Sequence, residues 1–123
     1  MRKSCFMNYK IKYLKKFAKE LKRLGKKYHS MKQDYARLLE ELYTNPQAGV
    51  DLGNGLHKIR IAIGSKNRGK SHGARVITYI YCIDPENGII TLLTIYDKEE
   101  RENISSNELI ALLAEARAAS EAE

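Results

Sequence analysis

Six cationic side chains stand close together between residues 57 and 75, a segment without any acidic residue. They are Lys58, Arg60, Lys66, Arg68, Lys70 and Arg75. Lysine binds phosphate as a point charge, and arginine can hold two phosphate oxygens at once through parallel hydrogen bonds. The segment therefore indicates binding of phosphate groups, or chemistry on them.

Within this segment, residues 64–71 read GSKNRGKS and match the pattern G-x-x-x-x-G-K-[ST] of a nucleotide-binding P-loop. A P-loop must open a helix, because the phosphates are held by free N–H groups at the helix N-terminus. The residues that follow, HGARVITYIY, are instead β-branched and aromatic, as is typical of a strand. Only 52 residues remain after Ser71, too few for the crossover units of such a fold. We predict a hairpin loop and no nucleotide cofactor.

The elements around this loop bring the cations together. HKIRIAI at 57–63 alternates apolar and polar residues, which predicts a half-buried strand with Lys58 and Arg60 on one face. Arg75 begins the next strand, ARVITYIYCI at 74–83, and the loop between the strands carries the other three cations. Two cations on one strand face repel each other unless an anion binds them. We therefore expect one anion-binding patch.

The N-terminal half predicts a strand and a helical hairpin. YKIKY at 9–13 alternates like a half-buried strand, and residues 14–24 carry an apolar stripe at helical spacing that Gly25 is expected to end. A second stripe begins after Ser30, which has a glutamine three residues on and is expected to form a capping box. This helix ends before Pro46.

The C-terminal half predicts the remaining sheet and a closing helix. Residues 48–56 are turn-like, a tight turn at 84–88 leads into a strand at 89–96, and Ser105 with Glu108 forms a capping box for the last helix. The predicted order is β-α-α-β-β-β-α. This order is typical of an α+β fold in which a helical hairpin packs on a small, mostly antiparallel sheet.

The length, the cysteines and the N-terminal residues indicate the number of domains, the metal content and the compartment. The 123 residues predict one domain, with residues 1–8 and 118–123 as flexible ends. The two cysteines, Cys5 and Cys82, are far apart and no zinc-type spacing occurs, so we expect no metal. The N-terminus lacks the apolar core of a signal peptide, which favours a reducing cytoplasm.

The net charge of +7 is distributed unevenly. Residues 1–28 carry eleven Lys or Arg against one acidic residue, whereas residues 76–123 carry three against ten. Cationic segments of this density indicate a polyanionic partner, either nucleic acid or an acidic protein. A membrane surface is disfavoured, because the apolar stripe of the first helix is needed to cover the sheet.

Three segments in this order, HKIRIAI, GKSHGARVITYIY and LLTIYDKEERENIS, follow the helical hairpin and are closed by ELIALL. Together they resemble the RelE/HigB branch of the RelE/ParE superfamily of bacterial type II toxins, over about residues 9–113. The resemblance implies a cytoplasmic mRNA endonuclease that acts on the ribosome, needs no metal and is neutralised by a cognate antitoxin. It further implies that the ribose 2′-OH attacks the adjacent phosphate, which leaves a 2′,3′-cyclic phosphate and a 5′-OH.

The resemblance also implies roles for individual residues. Lys58 is the candidate general base, provided that neighbouring cations make it lose its proton, and Arg60 stabilises charge. Arg75 clamps the scissile phosphate. Tyr96 stacks on a base or shares in proton transfer, and Lys98 matches a cation of the family. The expected RNA contacts in the hairpin loop are Lys66, Arg68, Lys70 and His72.

The general acid stays open. Some members of the family place a tyrosine where this chain has Asn103 and Ile104, and others use a histidine-containing loop that DKEEREN lacks, so His57 and His72 are also candidates. Two other functions stay open as well. One is a ParE-like toxin that poisons gyrase, which has no need of a phosphate-cleaving patch, and the other is a non-catalytic RNA-binding or regulatory protein.

Overall fold

The structure is a computed structural model that describes residues 8–121. Its elements are β1 (Asn8–Tyr13), α1 (Lys15–Lys27), α2 (Met31–Thr44), β2 (Val50–Gly53), β3 (Leu56–Ile61), β4 (Ala74–Asp84), β5 (Asn87–Asp97) and α3 (Ser106–Glu121). The strands form one sheet in the order β1-β5-β4-β3-β2. The pair β1 and β5 is parallel and the other neighbours are antiparallel, so the predicted α+β fold with a mostly antiparallel sheet is confirmed.

The helices cover both faces of the sheet. The α1–α2 hairpin packs on one face and α3 packs on the other, and each face has its own buried apolar cluster. Side chains alternate between the two faces along each strand. The strand residues under the hairpin include Ile59, Ile61, Val76, Leu92 and Ile95, and those under α3 include Leu56, Ile77, Tyr79, Leu93 and Tyr96.

The predicted order of elements lacks one strand. Residues 48–56 contain β2, which pairs with β3 at the edge of the sheet. All four residues of β2 are exposed, and the alternation of Val50, Asp51 and Leu52 is too short to predict a strand. The turn that joins it to β3 has three consecutive residues with positive φ: Gly53 at 89°, Asn54 at 57° and Gly55 at 84°.

Two helix ends differ from the prediction. Gly25 does not end α1, which continues to Lys27, because a glycine costs an exposed helix only about 1 kcal/mol. Ser30 precedes α2 but makes no capping hydrogen bond. Its hydroxyl instead donates to Asp34 Oδ2 at 2.7 Å and accepts from the N–H of Ser65 at 2.7 Å. One partner in the same helix and one tertiary partner thus replaced the predicted capping box.

The last helix begins as predicted. The N–H of Glu108 donates to Ser105 Oγ at 3.1 Å, although the Glu108 carboxylate binds Arg101 and not the start of the helix. The helix includes residues 118–121, where the sequence predicted a flexible end, and Ser120 is buried. The rest of the predicted flexible ends, apart from Asn8 in β1, lies outside the described residues. None of the helices within residues 8–121 is both long and apolar enough to cross a bilayer.

Candidate functional site

Three of the predicted site residues form a row across three strands. Arg60 on β3 lies directly opposite Arg75 on β4, and Arg75 lies directly opposite Tyr96 on β5. Residues opposite each other in an antiparallel pair share a face, so all three side chains lie on the face that α3 covers. Lys58, two residues before Arg60, shares that face. The sheet register therefore brings together four residues from three separate segments.

Arg75 is the most constrained cation of the row. Its side chain is 8% exposed, and its guanidinium donates to three main-chain carbonyls: Lys70 at 3.0 Å, Ala74 at 3.2 Å and Ser71 at 3.5 Å. Within residues 8–121 it has no carboxylate partner. Burial lowers the pKa of Arg75, and the charge of Arg60 lowers it further. Arginine nevertheless keeps its charge in proteins, so the row contains a buried cation without a counter-ion.

A glycine lets the loop approach this row closely. A Cβ atom on Gly73 would lie 1.9 Å from the carbonyl oxygen of Ile61, so only glycine fits there. The carbonyl of Gly73 accepts from the N–H of Lys98 at 2.9 Å, which places Lys98 beside the start of β4. The Lys98 side chain is half-buried and makes no ion pair with another described residue.

Tyr96 is buried, and its hydroxyl has no hydrogen-bond partner within residues 8–121. Burial raises its pKa, and the charges of Arg75 and Arg101 oppose that rise. The guanidinium of Arg101 lies over the Tyr96 ring, 5.3 Å from the centroid, and binds the carboxylate of Glu108 on α3. The sequence did not predict Arg101 as a site residue, because its position in the loop after β5 follows no recognisable periodicity.

Lys58 reaches the same loop. Its Nζ donates to Asn103 Oδ1 at 3.2 Å, and that oxygen also accepts from the N–H of Ile104 at 2.9 Å. Asn103 stands near the position where some RelE/HigB-type toxins have a tyrosine. Here it fixes the lysine beside the row, a role that the sequence could not indicate.

The first half of the GSKNRGKS loop is anchored to α2. Ser30 and Ser65 exchange two hydrogen bonds, in which the N–H of each donates to the hydroxyl of the other at 2.9 and 2.7 Å. The buried carboxylate of Asp34 accepts from the N–H of Gly64 at 3.1 Å. The loop lies between β3 and β4 and contains two short 3₁₀ turns, Gly64–Lys66 and Lys70–His72. The predicted hairpin loop is confirmed, and a strand follows it where a P-loop needs a helix.

Lys66 has a different environment from the one we expected of an RNA contact. Its side chain is 6% exposed, and its ammonium group binds Asp97 at 2.7 Å, Glu99 at 2.9 Å and the carbonyl of His72 at 2.7 Å. Tyr28 donates to the other oxygen of Asp97 at 2.5 Å. These two carboxylates and the carbonyl engage all three donors of the ammonium group, so none is left for a phosphate. The geometry therefore argues against RNA binding by Lys66 and assigns it to holding the loop on the end of β5.

The other loop residues are more accessible. Arg68 is exposed and bridges to Glu99 at 3.1 Å, and His72 is half-buried. Lys70 is exposed and has no carboxylate partner within the described part of the chain. Together with Arg37 it lines a groove of about 560 Å³ between α2 and the end of β3.

His57 points away from the row. It precedes Lys58 on β3 and therefore shares a face with Ile59, under the helical hairpin. It is buried opposite Thr78, and its Nδ1 has no partner within residues 8–121. The prediction of His57 as a candidate general acid is therefore wrong. Alternation along β3 places its side chain on the face of the sheet opposite the row.

No protein-family model matches the sequence. Among solved structures, the free-state structure of a mutant of the E. coli toxin RelE matches with a TM-score of 0.53. The match covers 78% of this chain and 90% of that chain, at 16% sequence identity. The chain has a RelE-type fold. The resemblance predicted from three short segments is confirmed at the level of the fold.

The RelE-type fold explains why distant segments meet at one place. β3, β4 and β5 are neighbours in the sheet. The residue before the last of β3, the second residue of β4 and the residue before the last of β5 therefore form one row. A fold hosts more than one function, and the activity must be argued from the side chains that it presents. Those side chains are two unneutralised arginines, a lysine and a buried tyrosine.

Proposed function

We propose that this protein is the toxin of a type II toxin–antitoxin pair and that it cleaves mRNA on the ribosome, in the cytoplasm, without a metal ion. The row of Arg60, Arg75 and Tyr96 carries the proposal, because two arginines stand directly opposite each other there and neither has a carboxylate partner among residues 8–121. Like charges at directly opposite positions destabilise a sheet. A row that keeps them together is therefore suited to a bound phosphate. The likeness to a structure named as the toxin RelE supports the same function.

The proposed reaction begins at the ribose 2′-OH. Lys58 accepts the 2′-OH proton while the oxygen attacks the adjacent phosphorus. The attack forms the 2′-O–P bond of the cyclic phosphate and breaks the P–O5′ bond. Asn103, at 3.2 Å from the Lys58 ammonium nitrogen, holds this side chain in place.

Arg75 stabilises the charge that develops on the phosphate oxygens. Its guanidinium is already oriented by the carbonyls of Lys70, Ala74 and Ser71, so it loses little freedom when the phosphate binds. Arg60, directly across the strands, supplies a second charge to the same oxygens.

Tyr96 is the proposed donor of the proton that the leaving 5′-oxygen needs. Burial raises its pKa, so the hydroxyl keeps its proton at neutral pH, and within residues 8–121 that proton has no other acceptor. The proton moves from Tyr96 to O5′, and exchange with water then restores Tyr96 and Lys58. The RNA strand on either side contacts Arg68, Lys70, His72 and Lys98, and a cognate antitoxin blocks the reaction.

The test is induced expression followed by mapping of the 5′ ends of cellular mRNA. We expect translation arrest and new 5′ ends at codon-related positions in translated messages. Arg75→Ala abolishes them, whereas Arg117→Ala, on the exposed side of α3, retains them. Intact messages with DNA damage would instead assign the protein to gyrase poisoning. Intact messages without a growth defect would assign it to non-catalytic RNA binding.

A further inference from the structure

The carbonyls that orient Arg75 come mainly from one short turn. In the Lys70–His72 turn, the carbonyls of Lys70 and Ser71 accept from the guanidinium at 3.0 and 3.5 Å. The third acceptor is the carbonyl of Ala74, at 3.2 Å. These bonds leave the Nε–H and one Nη2–H of Arg75 without an acceptor among residues 8–121, and two such donors match two oxygens of a phosphate. The direction in which Arg75 presents them therefore depends on the shape of the turn.

The Lys70–His72 turn is weakly held by its own bonds. It is a 3₁₀ turn of three residues, closed by a hydrogen bond from the N–H of Gly73 to the carbonyl of Lys70 at 3.2 Å. Hydrogen-bond geometry in such turns is poorer than in an α-helix. Lys70 and Ser71 are exposed and Gly69 faces open space, so packing does not hold this end of the turn. The shape of the turn therefore depends on contacts from outside it.

Lys66 supplies such a contact. Its Nζ donates to the carbonyl of His72, the last residue of the turn, at 2.7 Å. The same ammonium group binds Asp97 at 2.7 Å, and the Asp97 side chain is fully buried. Asp97 ends β5 and lies directly opposite Ala74, the residue before Arg75 on β4. Lys66 therefore ties the turn to the strand pair that carries Arg75.

We propose that Lys66 is a positioning residue for Arg75. It fixes the Lys70–His72 turn, and the carbonyls of that turn hold the free donors of Arg75 in the direction from which a phosphate binds. Donors that are oriented before the phosphate arrives stabilise the developing charge without reorganising during the reaction. The consequence for cleavage rests on the proposed function, whereas the effect on the orientation of Arg75 is measurable in the free protein.

The first experiment titrates the protein with inorganic phosphate and follows the Nε–H signal of Arg75 by NMR. The signal is assigned through its loss in Arg75→Gln. Because Lys66→Met frees the turn, we expect it to weaken phosphate binding at this signal about fivefold. Leu42→Ala, which opens a cavity in the core near the end of α2, should bind phosphate like the original chain. Equal affinity of Lys66→Met and the original chain would overturn the proposal.

A second pair of variants separates positioning from loss of stability. Lys66→Met leaves the buried carboxylate of Asp97 without its main counter-charge, which destabilises the fold. Asp97→Asn alone removes that charge and keeps the bond from Lys66 to His72, whereas the double variant of Lys66→Met and Asp97→Asn lacks both. We expect phosphate affinity close to the original value in the single variant and about fivefold lower in the double variant. The same affinity in both would show that Lys66 does not position Arg75.

Single-turnover cleavage of ribosome-bound mRNA tests the consequence for the reaction. Lys66→Met should lower the maximal rate about tenfold, because a misplaced Arg75 stabilises the transition state less well. The protein concentration at half-maximal rate should stay unchanged, since Lys66 does not contact the RNA. A higher concentration at half-maximal rate with an unchanged maximal rate would instead show direct RNA binding and overturn the proposal. If the original chain cleaves no mRNA, the proposed function fails, and the phosphate titrations alone decide the role of Lys66.

Discussion

Arg60 and Arg75 are direct cross-strand partners on β3 and β4, and neither guanidinium has a carboxylate partner within residues 8–121. Arg60 is exposed, whereas Arg75 is buried against main-chain carbonyls. Water screens the exposed charge, but the buried one depends on its surroundings. The pair therefore lowers the stability of the unliganded sheet and favours the binding of an anion.

Replacing Arg60 by glutamine should raise the stability of the protein and lower its cleavage activity. Because the substitution removes a like charge opposite Arg75, we expect the free energy of unfolding to rise by roughly 0.5 kcal/mol at low salt. The gain should shrink as salt screens the charges. Urea denaturation at two salt concentrations measures this, and a cleavage assay on translated mRNA should show reduced activity. A variant that is less stable than the original chain at low salt contradicts the repulsion.

Lys66 and Lys70 should respond differently to substitution by methionine. Lys66→Met leaves the fully buried carboxylate of Asp97 without its main counter-charge, so the free energy of unfolding should fall by about 3 kcal/mol. Lys70→Met, at an exposed position, should change it by less than about 0.5 kcal/mol but weaken RNA binding. Denaturant unfolding and RNA affinity distinguish the two. If both variants are equally stable, Lys66 does not stabilise the fold through Asp97.

Asp97 should make the protein sensitive to acid. Burial raises the pKa of Asp97, but hydrogen bonds from Lys66 and Tyr28 outweigh burial and hold the pKa below its ordinary value. The carboxylate therefore contributes stability above the unfolded-state pKa of about 3.9, and that contribution is lost as the pH falls through the lower folded-state pKa.

Unfolding experiments from pH 7 down to the acid transition test this linkage. Asp97→Asn should be less stable than the original chain at neutral pH, and its stability should fall less steeply as the pH is lowered. Asp51→Asn, at an exposed position on β2, is the matched control. Parallel pH profiles for Asp97→Asn and the original chain would show that this carboxylate does not contribute to the acid sensitivity.

Tyr96→Phe should leave the fold intact and impair the reaction. The Tyr96 hydroxyl is buried and has no hydrogen-bond partner among residues 8–121. Its removal should therefore leave the free energy of unfolding unchanged or raise it by up to about 1 kcal/mol. If the hydroxyl supplies the proton for the 5′-oxygen, cleavage should fall by roughly 10²-fold. Single-turnover cleavage of ribosome-bound mRNA measures the rate. Tyr79→Phe, on the same face but packed in the core, serves as the control. Full cleavage activity in Tyr96→Phe would exclude the tyrosine as proton donor.

The sequence predicted those elements whose patterns arise locally. Alternation identified the strand that carries Lys58 and Arg60, because one face of that strand is buried and the other is not. A run of β-branched and aromatic residues identified the strand that Arg75 begins. It also excluded the P-loop, since the residues after GSKNRGKS favour a strand. β2 was not predicted because it is only four residues long and fully exposed. The capping box at Ser30 was wrong because the serine hydroxyl binds Asp34 in the same helix and Ser65 in the loop.

The sequence by itself determined the class of fold, the cationic segments and the strands on which the cations lie. Only the tertiary structure decided which cations act together, because this depends on strand register and on pairing between distant segments. Register placed Arg60, Arg75 and Tyr96 in one row and put His57 behind the sheet. Pairing with Asp97 withdrew Lys66 from the surface, whereas Arg75 is buried with no carboxylate partner in the part of the chain that the structure describes. Charge along a chain is a local property, but neutralisation of that charge depends on the fold.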